Sequence, residues 1–180
     1  MTPVSHGKPC AGNPHARFDE GASAPEDPRR KALLHNDGNS LFYVCSLIEY
    51  IGRERKLRRA DVAAGLGESV IRRIFKYADT FHCEQIAKVA DDFITMCNLP
   101  TGSFDNVASC RYDVPGYWDI GAVYARLIED VSDGTDLVSK LMEVYSSWMS
   151  DALSRFNSDL FYQSRQYIAE CYRAGTILAA

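Results

Sequence analysis

From Asn39 onward the apolar residues recur at helical spacing. Ser40 is placed to cap a first helix that carries Leu41, Phe42, Val44, Cys45, Leu47, Ile48 and Ile51. So wide a stripe predicts a helix at the centre of the core. Glu49 and Arg53 lie four apart, and the pattern predicts a pair on the exposed side. A short helix over Arg59 to Gly65 turns Val62 and Leu66 inward, and Gly67 is its stop. The next, Glu68 to Thr80, sets Val70, Ile71, Ile74, Phe75 and Ala78 on one face and Arg72, Arg73 and Lys76 on the other. The clearest period follows in Glu84 to Cys97, through Ile86, Val89, Ala90, Phe93, Ile94 and Cys97.

"NLPTGS" breaks the pattern through Pro100 and Gly102. Residues 103–115 read as either a loop or one short strand. Helices resume over Tyr117 to Val131, over Asp136 to Phe156 as the longest of the set, and over Ser164 to Ala174. The fold expected is all-α, a single compact domain of six or seven helices over residues 39–180. Residues 1–38 differ. They are rich in Pro, Gly, Ala and acids, and their large apolar residues are only Val4, Phe18, Leu33 and Leu34. Such a segment cannot offset its ordering entropy, so a disordered tail is expected, with room for one helical turn in "RRKALLH".

Composition adds a limit rather than an identity. The apolar and charged fractions, 46% and 24% of 180 residues, are those of an ordinary globular chain. No apolar run reaches the roughly 18–20 residues that cross a bilayer, and the first residues carry no apolar signal core. The expectation is a cytoplasmic protein with no membrane partner. The six cysteines form no C-x-x-C pair and match no common zinc spacing, so neither metal nor cofactor is expected. Cys45, Cys97 and Cys171 fall on apolar stripes, where a free thiol behaves as a small hydrophobe.

Charge is unevenly spread. Arg53 to Lys76 holds eight basic and three acidic residues, net +5, while Tyr77 to Ala180 holds seven basic and fifteen acidic, net −8. The basic segment contains "LRRADVAAGLGESVIRRIFKY", which has the outline of a helix-turn-helix DNA reader. Leu57, Val62, Leu66, Gly67 and Ile71 sit near the apolar and glycine positions of that motif. The spacing departs from it, because only three residues separate Gly67 from Ile71, about two short. Glu68 also stands where phosphate would approach. Arg53, Arg55 and Lys56 are explained as cations at a helix C-terminus. Arg72, Arg73 and Lys76 are not so explained, and with Arg58 and Arg59 as neighbours they predict a basic stripe that meets an acidic protein surface, with nucleic acid as the alternative partner.

Enzyme motifs are missing from the sequence: no P-loop, G-x-S-x-G, H-E-x-x-H or dinucleotide fingerprint occurs. His6, His15 and His35 fall in the tail, and His82 beside Cys83 lacks the geometry of a dyad, so it is expected to cap a helix end. A non-enzymatic protein is expected. Tyr117 and Trp118, in "RYDVPGYWD", are either partner contacts or a plug between that turn and the following helix.

Residues 47–94 resemble a family of small, uncharacterised bacterial helical domains. The likeness rests on Ile48-Glu49-Tyr50, on Asp79 and His82, and on Val89 to Ile94 with Asp91 and Asp92. It implies an accessory or antitoxin-like partner of an ADP-ribosyltransferase-like enzyme encoded nearby, and it carries over no catalytic residue. The function expected is therefore a protein–protein interaction or regulatory module.

Overall fold

The computed structural model describes the backbone of residues 28–179 and the side chains of residues 37–179. Within them the chain is helical and has no strand. Eight α-helices follow in order: α1 (Pro28–Arg55), α2 (Arg59–Lys76), α3 (Ala78–His82), α4 (Ile86–Met96), α5 (Tyr117–Val131), α6 (Leu137–Ser146), α7 (Trp148–Leu153) and α8 (Arg165–Ala174), with a single 3-10 turn at Leu160–Tyr162.

Helix α1 is the axis of the fold. It packs against α2, α3, α4 and α5, while α6 lies on α2 and α8 on α5. Leu41, Tyr43, Val44, Cys45, Leu47, Ile48 and Ile51 are all buried, as the wide stripe requires. Three polar residues, Ser40, Ser46 and Glu49, are buried with them, and Ser40, expected as the cap, lies inside the helix because α1 starts at Pro28. The helix also begins earlier than composition implies. Residues 28–38, assigned above to the tail, belong to α1. Proline suits a first helical position, where its missing N–H is not needed, and "RRKALLH" is built mostly of good helix formers. The disorder expected of residues 1–27 lies outside the described residues.

Two helices are divided where periodicity runs on. The expected long helix from Asp136 breaks at Ser147, whose backbone is extended (φ −85°, ψ 169°). Its Oγ donates to the carbonyl of Val144 at 2.7 Å and accepts from the Met149 N–H at 3.3 Å. A serine that hydrogen-bonds locally in this way competes with the helical ladder. The longest helix is thus α1. The other break, at Tyr77, separates α2 from α3. The stop expected at Gly67 is present as a kink inside α2, with φ 75° and ψ 157°, a conformation open to glycine. Residues 103–115 form a loop.

The stripe of α4 is buried at Val89, Ala90 and Phe93 and half-buried at Ile86 and Ile94. Cys45 and Cys171 are buried, and Cys97 is half-buried. Beneath α5 and α6 the rings of Tyr124 and Tyr145 stack at 4.3 Å. Their hydroxyls donate to the carbonyls of Ser150 and Cys45 at 3.2 and 3.5 Å, so both buried phenols are satisfied.

Candidate functional site

The basic segment is split between core and surface. After α1 the chain reverses at Lys56, whose φ is positive (53°), and the Leu57 N–H returns to the Gly52 carbonyl at 2.9 Å. The tight return sends the neighbouring Arg58 and Arg59 in opposite directions. Arg58 is half-exposed, whereas Arg59 is fully buried at 0%. Arg59 therefore leaves the set of partner contacts expected from sequence. Its Nε and Nη2 donate to the Glu49 carboxylate at 2.7 and 2.8 Å, Nη1 to the Leu57 carbonyl at 2.9 Å, and Nη2 also to Asn106 Oδ1 at 3.1 Å. Burial works against its charge, but the hydrogen bonds and charge of Glu49 hold the guanidinium above its ordinary pKa. Arg53 Nε adds a 2.7 Å bond to Glu49. The Glu49–Arg53 pair is thus real, but it lies inside the protein rather than on the exposed side, because α1 is covered by α2 there. Asn106 continues the network by donating to the Ser154 carbonyl at 3.0 Å. One ion pair thereby joins α1, α2, the 103–115 loop and the end of α7.

The remaining cations differ in how much charge they leave free. Arg58 pairs with Asp151 at 2.6 Å, and its guanidinium lies 5.2 Å from the Phe104 ring. Arg72 donates to Asp136 and Glu68, each at 2.6 Å, and to Ser139 Oγ at 3.1 Å. Asp136 and then Glu68 hold its guanidinium well above the ordinary range. Asp136 in turn caps α6 by accepting from the Ser139 N–H, which fastens α2 to the start of α6. Arg73 and Lys76 are exposed and have no ion-pair partner among the described residues. They stand three apart, on one face. Lys76 Nζ lies 5.3 Å from the ring of Tyr77, itself 47% exposed. The unspent part of the basic stripe is Arg73, Lys76 and Tyr77.

Tyr117 and Trp118, which open α5, are half-buried against α1 and α3. Trp118 meets Phe42 at 5.4 Å, His82 at 5.8 Å and Tyr43 at 6.4 Å between ring centres, and Tyr117 meets Tyr50 edge-on at 5.2 Å. Both rings are thus engaged against α1 and α3, rather than Trp118 filling the gap between the 103–115 turn and α5. His82 is part of the same group and stacks on Trp118 rather than hydrogen-bonding as a cap.

A second feature was only half visible in the sequence. The loop at Tyr112 and Asp113 faces the chain from Phe156 to Tyr162 across an open cleft of about 480 Å³. Tyr112 stands in the aromatic stretch "RYDVPGYWD", but Tyr162 has no sequence signal beyond standing between the helices expected to end at Phe156 and to begin at Ser164. Among the described residues no group of three His, Cys, Asp or Glu side chains is arranged to hold a metal ion, and no helix is long and apolar enough to cross a membrane.

Compared with family models, with curated proteins and with solved structures, the chain finds no match.

Proposed function

We propose that the protein is a non-enzymatic interaction module that docks an acidic surface of a partner protein on Arg73, Lys76 and Tyr77. One observation carries this reading. Two cations without an ion-pair partner among the described residues stand beside a half-exposed tyrosine, on a helix whose inner residues Ile71 and Ile74 are buried. A rigid helix presents these groups at little conformational cost, and tyrosine beside basic residues is favourable interface chemistry. Exposed charge of this kind steers encounter with an acidic patch and is sensitive to salt. The resemblance of residues 47–94 to partners of ADP-ribosyltransferase-like enzymes fits such a role, with the neighbouring enzyme as the docked protein.

Duplex DNA is the weaker reading. In α2 only Gly67 departs from helix, so the second half begins without the turn that would present its first positions to base edges. Exposed Glu68 stands at that end, Arg72 is tied to Asp136 and Glu68, and residues 77–180 carry net −8.

The test is affinity capture of the tagged protein from its own cells, wild type against Arg73→Glu/Lys76→Glu. The double variant should keep its circular dichroism, since exposed charges contribute little to stability, and should lose the captured partner. A duplex titration near physiological salt, about 150 mM, accompanies it. Tight binding to one DNA sequence, lost in the double variant, would replace the protein-docking reading with the DNA one.

A further inference from the structure

The cleft between Tyr112 and Tyr162 shares no residue with the α2 stripe and has the opposite chemistry. Tyr112 and Tyr162 are each 72% exposed, the highest values among the large hydrophobic side chains described. Both rings line one concave site, so this exposed aromatic surface is grouped rather than scattered. Phe156 and Phe161 are buried and line the floor, with ring centres 5.8 Å apart, and Tyr162 lies 4.3 Å from Phe161. Asp113, Asn157, Ser158 and Asp159 complete the lining, and among the described residues no cation lines it. Its volume of about 480 Å³ falls within the roughly 300–1,000 Å³ usual for ligand sites.

The walls are fastened although they come from distant parts of the chain. Asn157 Oδ1 accepts from the Arg111 N–H at 2.8 Å, and its Nδ2 donates to the Ser109 carbonyl at 2.9 Å. The Gln163 amide donates to Asp159 at 3.1 Å, which leaves the second carboxylate oxygen of Asp159 without a partner among the described residues. Asp113 has no ion pair among them. One ring already shows the preference in question: the Arg53 guanidinium lies 5.1 Å from Phe156. Among the described residues Tyr112, Phe161 and Tyr162 have no such cation.

We propose that this cleft receives an arginine side chain presented by a basic segment of a partner protein. A guanidinium is flat, lies over an aromatic face and pairs with a carboxylate in one pose, which is what ring walls and two aspartates offer. Charge complementarity identifies the occupant: the cleft carries two carboxylates and lies in the part of the chain with net −8.

The experiment titrates the full chain with a labelled peptide, Gly-Gly-Arg-Arg-Gly-Gly, and follows it by fluorescence anisotropy and by amide chemical shifts. The same peptide with citrulline for arginine removes the charge and keeps the shape, and one with glutamate reverses the charge. Binding of the arginine peptide should shift amides at 111–113 and 156–162, and should weaken on the order of tenfold in Tyr162→Ala, the scale of one lost cation–aromatic contact. Asp113→Asn, an exposed change that leaves the fold intact, should weaken it several-fold and reduce its salt dependence. Citrulline should lose most of the affinity and glutamate all of it. Equal binding of the citrulline or glutamate peptide, or binding indifferent to both Tyr162→Ala and Asp113→Asn, overturns the proposal. So does arginine amide alone binding as tightly as the peptide, because the occupant would then be a small cation. Neither result depends on Arg73 or Lys76, so failure here leaves the α2 reading standing.

Discussion

Replacing Arg59 by methionine tests the buried ion pair at its most exposed assumption. Methionine keeps much of the side-chain volume, so the cavity left behind is small and the electrostatic effect dominates. Glu49, 1% exposed, would lose two of its three N–H donors and keep only Arg53. The Leu57 carbonyl and Asn106 Oδ1 would each lose a donor as well. Removing one partner of a buried pair costs about 3–5 kcal/mol, and the remaining Arg53 bond places this case toward the lower end. Against a total stability of roughly 5–15 kcal/mol for such a domain, that is a large fraction. Urea unfolding at neutral pH, followed by the fluorescence of Trp118 and Trp148, measures it. The triple variant Glu49→Leu/Arg53→Met/Arg59→Met removes the carboxylate together with both guanidiniums that pair with it, and it should lose less stability than Arg59→Met alone, because no buried charge is then stranded. A single-variant loss below about 1 kcal/mol, or a triple variant worse than the single, would refute the account of this network as paired charge in the core.

Two further outcomes follow from other groups. Asp136 is held down to about 2 from an ordinary 3.8, first by the hydrogen bond from Arg72. A carboxyl depressed in the folded state adds stability above its unfolded pKa, and that stability is lost as pH falls from 3.8 toward 2. Both partners are about half-exposed, so the contribution is that of a surface pair, about 0.2–1 kcal/mol, and Asp136→Asn should flatten the acid side of the stability curve by that amount. A curve unchanged by Asp136→Asn would count against the α2–α6 clasp. Among the thiols, Cys83 is exposed while Cys45 is buried and pushed up to about 12 by that burial. A disulfide-exchange reagent at mildly alkaline pH should therefore label Cys83 in the native protein and reach Cys45 only through unfolding. Cys45→Ala removing a fast-reacting thiol would contradict that order.

The sequence by itself determined the features whose cause is local. A wide apolar stripe makes α1 central because side chains repeat every turn and a helix apolar on most sides must be enclosed. The face of α4 follows from the same period, and the interruption at Gly67 follows from a backbone that glycine alone adopts easily. The early start of α1 was obscured because the composition of residues 1–38 as a whole outweighed the helix propensity of "RRKALLH". The break at Ser147 was hidden because apolar spacing continues across it while one hydroxyl diverts the hydrogen bonds.

Only the tertiary structure decided what each charge does. Arg58 and Arg59 are adjacent and alike in sequence, yet one faces water and the other lies in the core. The difference is made by Glu49 on α1, Asn106 in a loop and the reversal at Lys56, none of which a residue-type pattern connects. Arg72 and Arg73 diverge for the same reason: Asp136, 64 residues away, neutralises the first and leaves the second free. The aromatic cleft likewise exists because Asn157 clamps a segment 46 residues distant. Helical periodicity is set by covalent geometry within a few residues, and so it can be read along the chain. Whether a charge is spent or available depends on groups brought together by folding, because electrostatic pairing acts through space rather than along the sequence.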